Sequence, residues 1–412
     1  MTCLLLNRRR ILADLPTWFP DSADELVVFT ARGAARPGEI EALHPRVRHL
    51  EVVDDYEGVA ADERIRELAK EFQVEAVLLT AEIDVLRAAR LREELDLPGQ
   101  RPASAKAYRD KHVMKSHAAA AGLTVAAMRP IGHPGDLAAF AAEQGFPVVV
   151  KRTAGAASLG MRVVEDHAAL AGLVSTWQDG PPEPMLAERW IEGDLFHVDG
   201  IMRAGEVLLS WPSRYLHTQW ASASRSANEL GGMLARSDPL FERLRHHTAQ
   251  VITALPPAPE ELPFHAEFFH TPEDEIVLCE IACRPGGGEI VAMFEHAFGF
   301  NLYEAALKGQ AGRYAEIGIR AEPRRHGWGW LPRQRGTLEE IPTSAPFPSV
   351  CWYTATGEVG AWYEAPRSMA DIIARMVFKV DGDDVVPELE LLDEWWKGAV
   401  RWRTDDNQCS SS

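Results

Sequence analysis

Four short apolar runs recur within the first hundred residues: CLLLN, ELVVFTA, VRHLEVV and VEAVLLT. Each reads as a buried strand, too short for a helix. Two amphipathic patterns, ADERIRELAKEF and IDVLRAARLREELDL, lie between or after them as helices. Strands that alternate with helices pair in parallel, because the helix carries the chain back to the starting edge of the sheet. Residues 1–102 are therefore expected to form a small parallel α/β domain, which the Pro- and Gly-containing stretch LPGQRPAS closes.

A chain of 412 residues exceeds one typical core; about two to four packing units follow, at roughly 100–200 residues each. Beyond the boundary the pattern predicts one helix from Ser104, as N-cap, to Ala121, ended by Gly122. A strand in TVAAMRPIG, a helix over DLAAFAAEQ and the strand FPVVVKRT come next. TAGAASLGMRVV then supplies a small-residue loop and another strand. PMLAERWIEGDLFHVDGIMRAGEVLLSW reads as strand, turn, strand with AGEV at a hairpin tip, and DPLFERLRHHTAQVITAL as a helix. From about Ala311 the chain turns Pro- and Trp-rich, with short strands such as SVCWYTA and ARMVFKVDG, which suggests a smaller β-rich domain over 311–404. DDNQCSSS, 405–412, reads as a disordered end.

The stretch FHAEFFHTPEDEIVLCEIACRPGGGEI, from Phe264 to Ile290, reads as a hairpin turning over Thr271 to Glu275. Pairing centred between Glu273 and Asp274 sets Glu267 opposite Glu280, and like charges facing each other across strands are destabilising. A divalent cation is the simplest answer, since magnesium takes one or two carboxylates plus substrate phosphates. A solvent-facing pair, or a glutamate bonded to a basic neighbour, is the alternative. His265 shares a strand face with Glu267, and Arg284 shares one with Glu280 if the strand continues. Gly286 and Gly287 in RPGGG would let a substrate approach the backbone closely. Lys151 leaves the buried strand PVVVK at its edge, while Lys111 lies in the helical RDKHVMK segment. The loop Thr153 to Arg162 lacks the GxxxxGK[ST] of a Walker A motif.

Net charge is −18, from 43 basic and 61 acidic residues, which argues against a nucleic-acid surface. Five cysteines without a CxxC pair suggest neither a disulfide framework nor a zinc site. MTCLLLNRRRILADLP reverses the order of a signal peptide, and no apolar stretch approaches a membrane span, so a cytoplasmic protein is expected. The first strand is followed by no GxGxxG, which sets aside a dinucleotide-binding reading.

In order along the chain, these blocks resemble the ATP-grasp superfamily of carboxylate–amine ligases. RDKHVMKSHAAAAGLTV is similar to the family's DK…K…AGI segment, FPVVVKRTAGAASLGMRVV to its lysine strand and glycine loop, and LAERWIEG to its hinge. HAEFF with CEIACRPGG resembles its metal pair and catalytic arginine. The resemblance implies an α/β architecture with an N-terminal parallel domain, an ATP-grasp domain over 103–310 carrying a mobile lid at about 123–189, and a β-rich C-terminal region. It implies that Lys111 and Lys151 hold phosphates, that Ser158 and Gly160 lie in the loop covering them, and that Glu188, Trp190 and Ile191 border the adenine. Glu267 and Glu280 would hold magnesium, two ions in most relatives, with manganese as a substitute. Arg284 would hold the acyl carboxylate or phosphate, with Gly286 and Gly287 beside it. His265, Arg214 and Tyr215 complete the candidate substrate contacts.

Two departures stand out. Ala282 occupies a place that is often asparagine in the metal shell, and Leu195 one that is often a ribose-binding glutamate, for which Asp194 or His197 would substitute. The implied reaction makes an acylphosphate with ATP and lets an amine attack it, on amino-acid-like small molecules. Homodimerisation is common among relatives. A carboxylase of the biotin or purine-pathway type, a kinase, or a nucleotide-binding protein without turnover are the alternatives.

Overall fold

The computed structural model describes residues 1–155, 159–177, 180–217, 227–314, 323–366, 368 and 370–404. Ser158 and the tail 405–412 lie outside the described residues. Strands β1 (Cys3–Asn7), β2 (Leu26–Ala31), β3 (His49–Val53) and β4 (Ala76–Leu79) form a parallel sheet in the order β3-β2-β1-β4. Three of the four apolar runs are buried as expected, whereas β3, at the sheet's edge, is only half-buried along its length. Helices Val59–Glu71 and Asp84–Glu94 stand where the amphipathic patterns put them.

The helix expected from Ser104 to Ala121 is two helices, Pro102–Arg109 and Lys111–Ala120. Asp110 breaks it. Its backbone is extended and its carboxylate accepts from the N–H groups of His112 and Val113, so it caps the second helix. Ser104 is not the cap: Pro102 takes the first turn, and the Ser104 hydroxyl donates to the Pro256 carbonyl at 2.8 Å. The break matters for function, because it leaves Lys111 on the opening turn of a new helix.

A second sheet, in the order β5-β8-β6-β7, holds β5 (Met128–Ile131), β6 (Val148–Arg152), β7 (Arg162–Val164) and β8 (Met185–Arg189). Its pairs are antiparallel, and helices Pro134–Gln144 and His167–Ser175 join its strands. It has its own apolar cluster around Leu137, Phe140 and Val150.

The central sheet has eight strands in the order β13-β12-β9-β10-β11-β14-β18-β16. Its first part comprises β9 (Asp194–Arg203), β10 (Glu206–Tyr215), β11 (Glu229–Met233), β12 (Glu261–His270) and β13 (Ile276–Ala282). β9 and β10 meet at Ala204–Gly205, so the AGEV hairpin is present, and β8 adds a third strand to that stretch. The tail does not stand apart as a domain. Its strands β14 (His326–Pro332), β16 (Val350–Ala355) and β18 (Ile372–Lys379) continue the central sheet through β11. Only β15 (Gly336–Glu340), β17 (Trp362–Tyr363) and β19 (Arg401–Arg403) form a small sheet of their own. The tail also carries a helix, Val386–Ala399, absent from the expected elements, which buries Leu389, Leu392 and Trp396. Among the described residues no helix is long and apolar enough to cross a membrane.

Strand alternation divides β12 into two jobs. Phe264, Ala266 and Phe268 go into the main core, leaving His265 and Glu267 on the other face. Gly200 on β9 lets β10 and β12 close around it. A Cβ there would lie 1.9 Å from the Leu209 carbonyl oxygen and 2.7 Å from Phe264. Gly200→Ala is expected to cost at least about 2–3 kcal/mol of stability, as overpacking of a rigid core does, seen as a lowered urea midpoint with an unchanged slope.

Candidate active site

The hairpin sets Glu267 directly opposite Glu280. That register holds only as far as Glu267. Beyond it the extra residue Cys279 forms a bulge, and Phe268 pairs with Leu278. The turn closes with the Thr271 N–H donating to the Glu275 carbonyl, with Asp274 at φ +66°.

The two carboxylates are relieved in different ways. Glu280 lies 2.8 Å from Lys111 Nζ, which also donates to the Gly155 carbonyl at 2.9 Å. Burial opposes its ionisation, yet Lys111 and Lys151 hold it well below the usual carboxylate range. Glu267 accepts from the Tyr215 hydroxyl at 2.9 Å and lies 3.3 Å from His265 Nε2. His265 in turn contacts Asp199 at 2.8 Å, and Asp199 contacts His197 at 2.5 Å. Burial works against the His265 cation, but Asp199 and Glu267 push it up to about 10. Both glutamates offer hard oxygen donors, with side chains 26% and 19% exposed and so reachable by an ion. The donor set fits magnesium. Ala282, opposite His265, adds no oxygen ligand.

Three lysines converge behind the pair. Lys151 lies 2.8 Å from Glu188, and Lys115 lies 2.7 Å from its other oxygen. Burial opposes the Glu188 carboxylate, but the two ammonium groups bring it down to about 2. Lys115 was missed in the sequence, although it stands one helical turn after Lys111 in RDKHVMK and so shares its face. Glu188, expected beside the adenine, spends its carboxylate on these lysines. Its neighbours Trp190 and Ile191 line a cleft of about 560 Å³, closed opposite by Val125, Thr271 and Pro272.

Arg284 forms an ion pair through Nε with Glu82, a residue of the N-terminal domain. Arg109 holds the same carboxylate at 2.5 Å and donates to the Ala154 carbonyl at 2.6 Å, just past the end of β6. Burial resists charge at Glu82, and Arg284 and Arg109 overcome it. Neither Glu82 nor Arg109 was picked from the sequence. Glu82 lies just past the C-terminal end of β4, where ligand-binding groups of parallel sheets gather. Gly286 is tied by space, since a Cβ would lie 2.8 Å from Asp199 and 2.9 Å from His265, while Gly287 faces open room.

Other candidates lie elsewhere. Arg214 projects to the opposite sheet face from its neighbour Tyr215, over Phe196, and pairs with Asp194 at 2.9 Å. His197, offered as a ribose contact, is instead fully buried beside Glu267, because strand alternation turns it toward Asp199. Asp194 is occupied by Arg214, and Leu195 joins an apolar cluster with Ile191 and Phe269. Gly160 adopts φ +78° against the Arg152 side chain.

A family model described as "Carbamoyl-phosphate synthase L chain, ATP binding domain" matches residues 110–193, which hold the lysines and the hinge. An L-arginine-specific L-amino acid ligase from Bacillus subtilis is 25% identical over 356 residues, spanning 83% of this chain and 84% of that protein. In fold, the chain superposes on an L-amino acid ligase from Bacillus licheniformis with TM-score 0.72 at 17% identity, covering 98% of each. The biotin carboxylase domain dimer of the Hydrogenobacter thermophilus 2-oxoglutarate carboxylase, solved with MgADP and bicarbonate, superposes with TM-score 0.63 at 17% identity, covering 95% of this chain and 89% of that one. With the facing glutamates and the lysine cluster in place, the chain is similar in sequence to an ATP-binding domain model and an amino acid ligase, and has the fold of ATP-grasp ligases.

Proposed function

We propose that the protein joins a carboxylate to an amine with ATP, through an acylphosphate, yielding an amide, ADP and phosphate. The observation that carries this reading is the gathering of Glu267, Glu280, Lys111 and Arg284 in one charged cluster. Glu267 and Glu280 would hold magnesium, two ions in the full complex and replaceable by manganese, which would supply charge neutralisation at the phosphates.

The remaining work falls to the chain itself. Lys111, 2.8 Å from Glu280, would be free to hold the phosphates. Lys151, kept protonated against its burial by Glu188, adds fixed positive charge without needing to reorganise. Arg284, which pairs with Glu82 through Nε alone, has a planar fork to offer the acyl carboxylate. The lid closes to exclude water, which would otherwise hydrolyse the acylphosphate.

Amino-acid-like substrates are supported by the names of the ligase relatives. A cytoplasmic location and a homodimer belong to the same proposal. The test is ADP release over amino acids supplied singly and in pairs, with mass spectrometry of the product. Amine-dependent ADP with an amide product is the expected result. Bicarbonate-dependent ADP would make the enzyme a carboxylase, and no ADP under any pairing would leave a binding protein.

A further inference from the structure

The face of the central sheet that carries the glutamates runs on well beyond them. Glu280 faces Glu267, Glu267 faces His197, and His197 faces Ser213. Tyr215, two residues on, faces Gly231, which faces Trp328. Trp330, two residues further, faces Arg375 on β18. Residues opposite one another or two apart share a face, so one sheet face, buried at His197, Ser213 and Trp328, carries both the metal pair and Arg375. Gly231 lets that surface fold inward: a Cβ there would lie 2.8 Å from Trp328 Nε1 and 3.2 Å from His197 Nε2. The Trp328 ring accordingly stands 6.0 Å from that of Tyr215, which holds Glu267.

The RPGGGE loop crosses this same surface. Gly288, at φ +65°, lies against the Trp328 ring, and the Glu289 carboxylate accepts from Trp330 Nε1 at 3.1 Å. Arg375 reaches the same Glu289 oxygen at 3.3 Å and lies over the Trp352 ring at 5.1 Å. The pair is lopsided toward the cation. Arg375 is 32% exposed and Glu289 only 12%, and a guanidinium has five N–H donors to share. A group arriving along this face therefore meets the arginine.

Resting on the ligase reading above, we propose that Arg375 recognises a carboxylate of the amine-bearing substrate. Arg284 and the glutamates claim the acyl phosphate end, and the RPGGGE loop runs from Arg284 to Glu289, the partner of Arg375, so the acceptor's far end points toward Arg375. The carboxylate comes from one of two sources, the main chain of an amino-acid acceptor or an acidic side chain.

The test uses the full chain with MgATP and the acid substrate found in the pairwise screen. Acceptors are supplied as amino acids and as their amides, and as aspartate against asparagine. The wild type is expected to favour the carboxylate-bearing member by about tenfold or more in kcat/KM, the size of one charge-assisted hydrogen bond. Arg375→Gln should raise the acceptor KM by a similar factor and erase the preference in one arm, which names the source. Arg375→Lys, which keeps the charge but not the fork, should fall between. An acid-over-amide preference that survives Arg375→Gln in both arms overturns the proposal while leaving the ligase reading intact. Wild-type ADP release that needs no amine brings down the ligase reading itself, and this inference with it.

Discussion

Glu280→Gln is expected to lower magnesium-dependent ADP formation by about 10²–10³-fold or more. Glutamine matches the volume and can still accept from Lys111, so the fold should persist. What goes is a full negative charge from the two that face each other across the hairpin. A bound metal ion supplies several kcal/mol of charge stabilisation to a transferring phosphoryl group, and about 1.4 kcal/mol is one factor of ten in rate. The variant's circular dichroism should match the wild type, which separates loss of chemistry from loss of structure. Turnover within threefold of wild type would count heavily against the site.

Glu188→Ala should give the largest loss of stability, about 3–5 kcal/mol, because removing one partner of a buried ion pair leaves the other uncompensated. Here two charges are stranded, with Lys115 only 1% and Lys151 only 8% exposed. The effect carries a pH signature. Glu188 is brought from 4.5 down to about 2 in the folded chain. A carboxylate with a depressed folded pKa contributes stability that is fully present above its unfolded value and is lost as pH falls through the folded one. The gap between wild type and variant should therefore be widest at neutral pH and shrink between pH 4.5 and 2. Urea midpoints across that range check it. A gap that stays constant down to pH 2 would mean that the lysine pairs do not set Glu188's ionisation.

What was legible in the sequence was mostly local or periodic. Two-residue alternation put Glu267 and Glu280 on one face, and the turn residues fixed their pairing over the stretch that matters. The bulge at Cys279 left no mark, since an extra residue in a strand changes neither composition nor hydrophobicity. Asp110 was readable as a cap in YRDKH but was passed over, because the helical pattern continues on both sides of it. Glu82 and Arg109 were not legible as site residues. Their importance comes from meeting Arg284, about 200 residues away in sequence for Glu82. The tail misled for the same reason. Short Trp-rich strands look like a separate domain until β11 is seen to bridge them to the central sheet. Arg214 shows a different limit: it shares the WPSRYLH strand exit with Tyr215, but alternation sends the two to opposite faces.

The most direct measurement is a crystal structure grown with magnesium and a non-hydrolysable ATP analogue. The prediction is an ion bridging the phosphates with a carboxylate oxygen of Glu267 and one of Glu280 at about 2.0–2.1 Å, and with Lys111 swung from Glu280 onto the nucleotide. An ion held by other residues, with Lys111 still bonded to Glu280 beside a bound nucleotide, would contradict it.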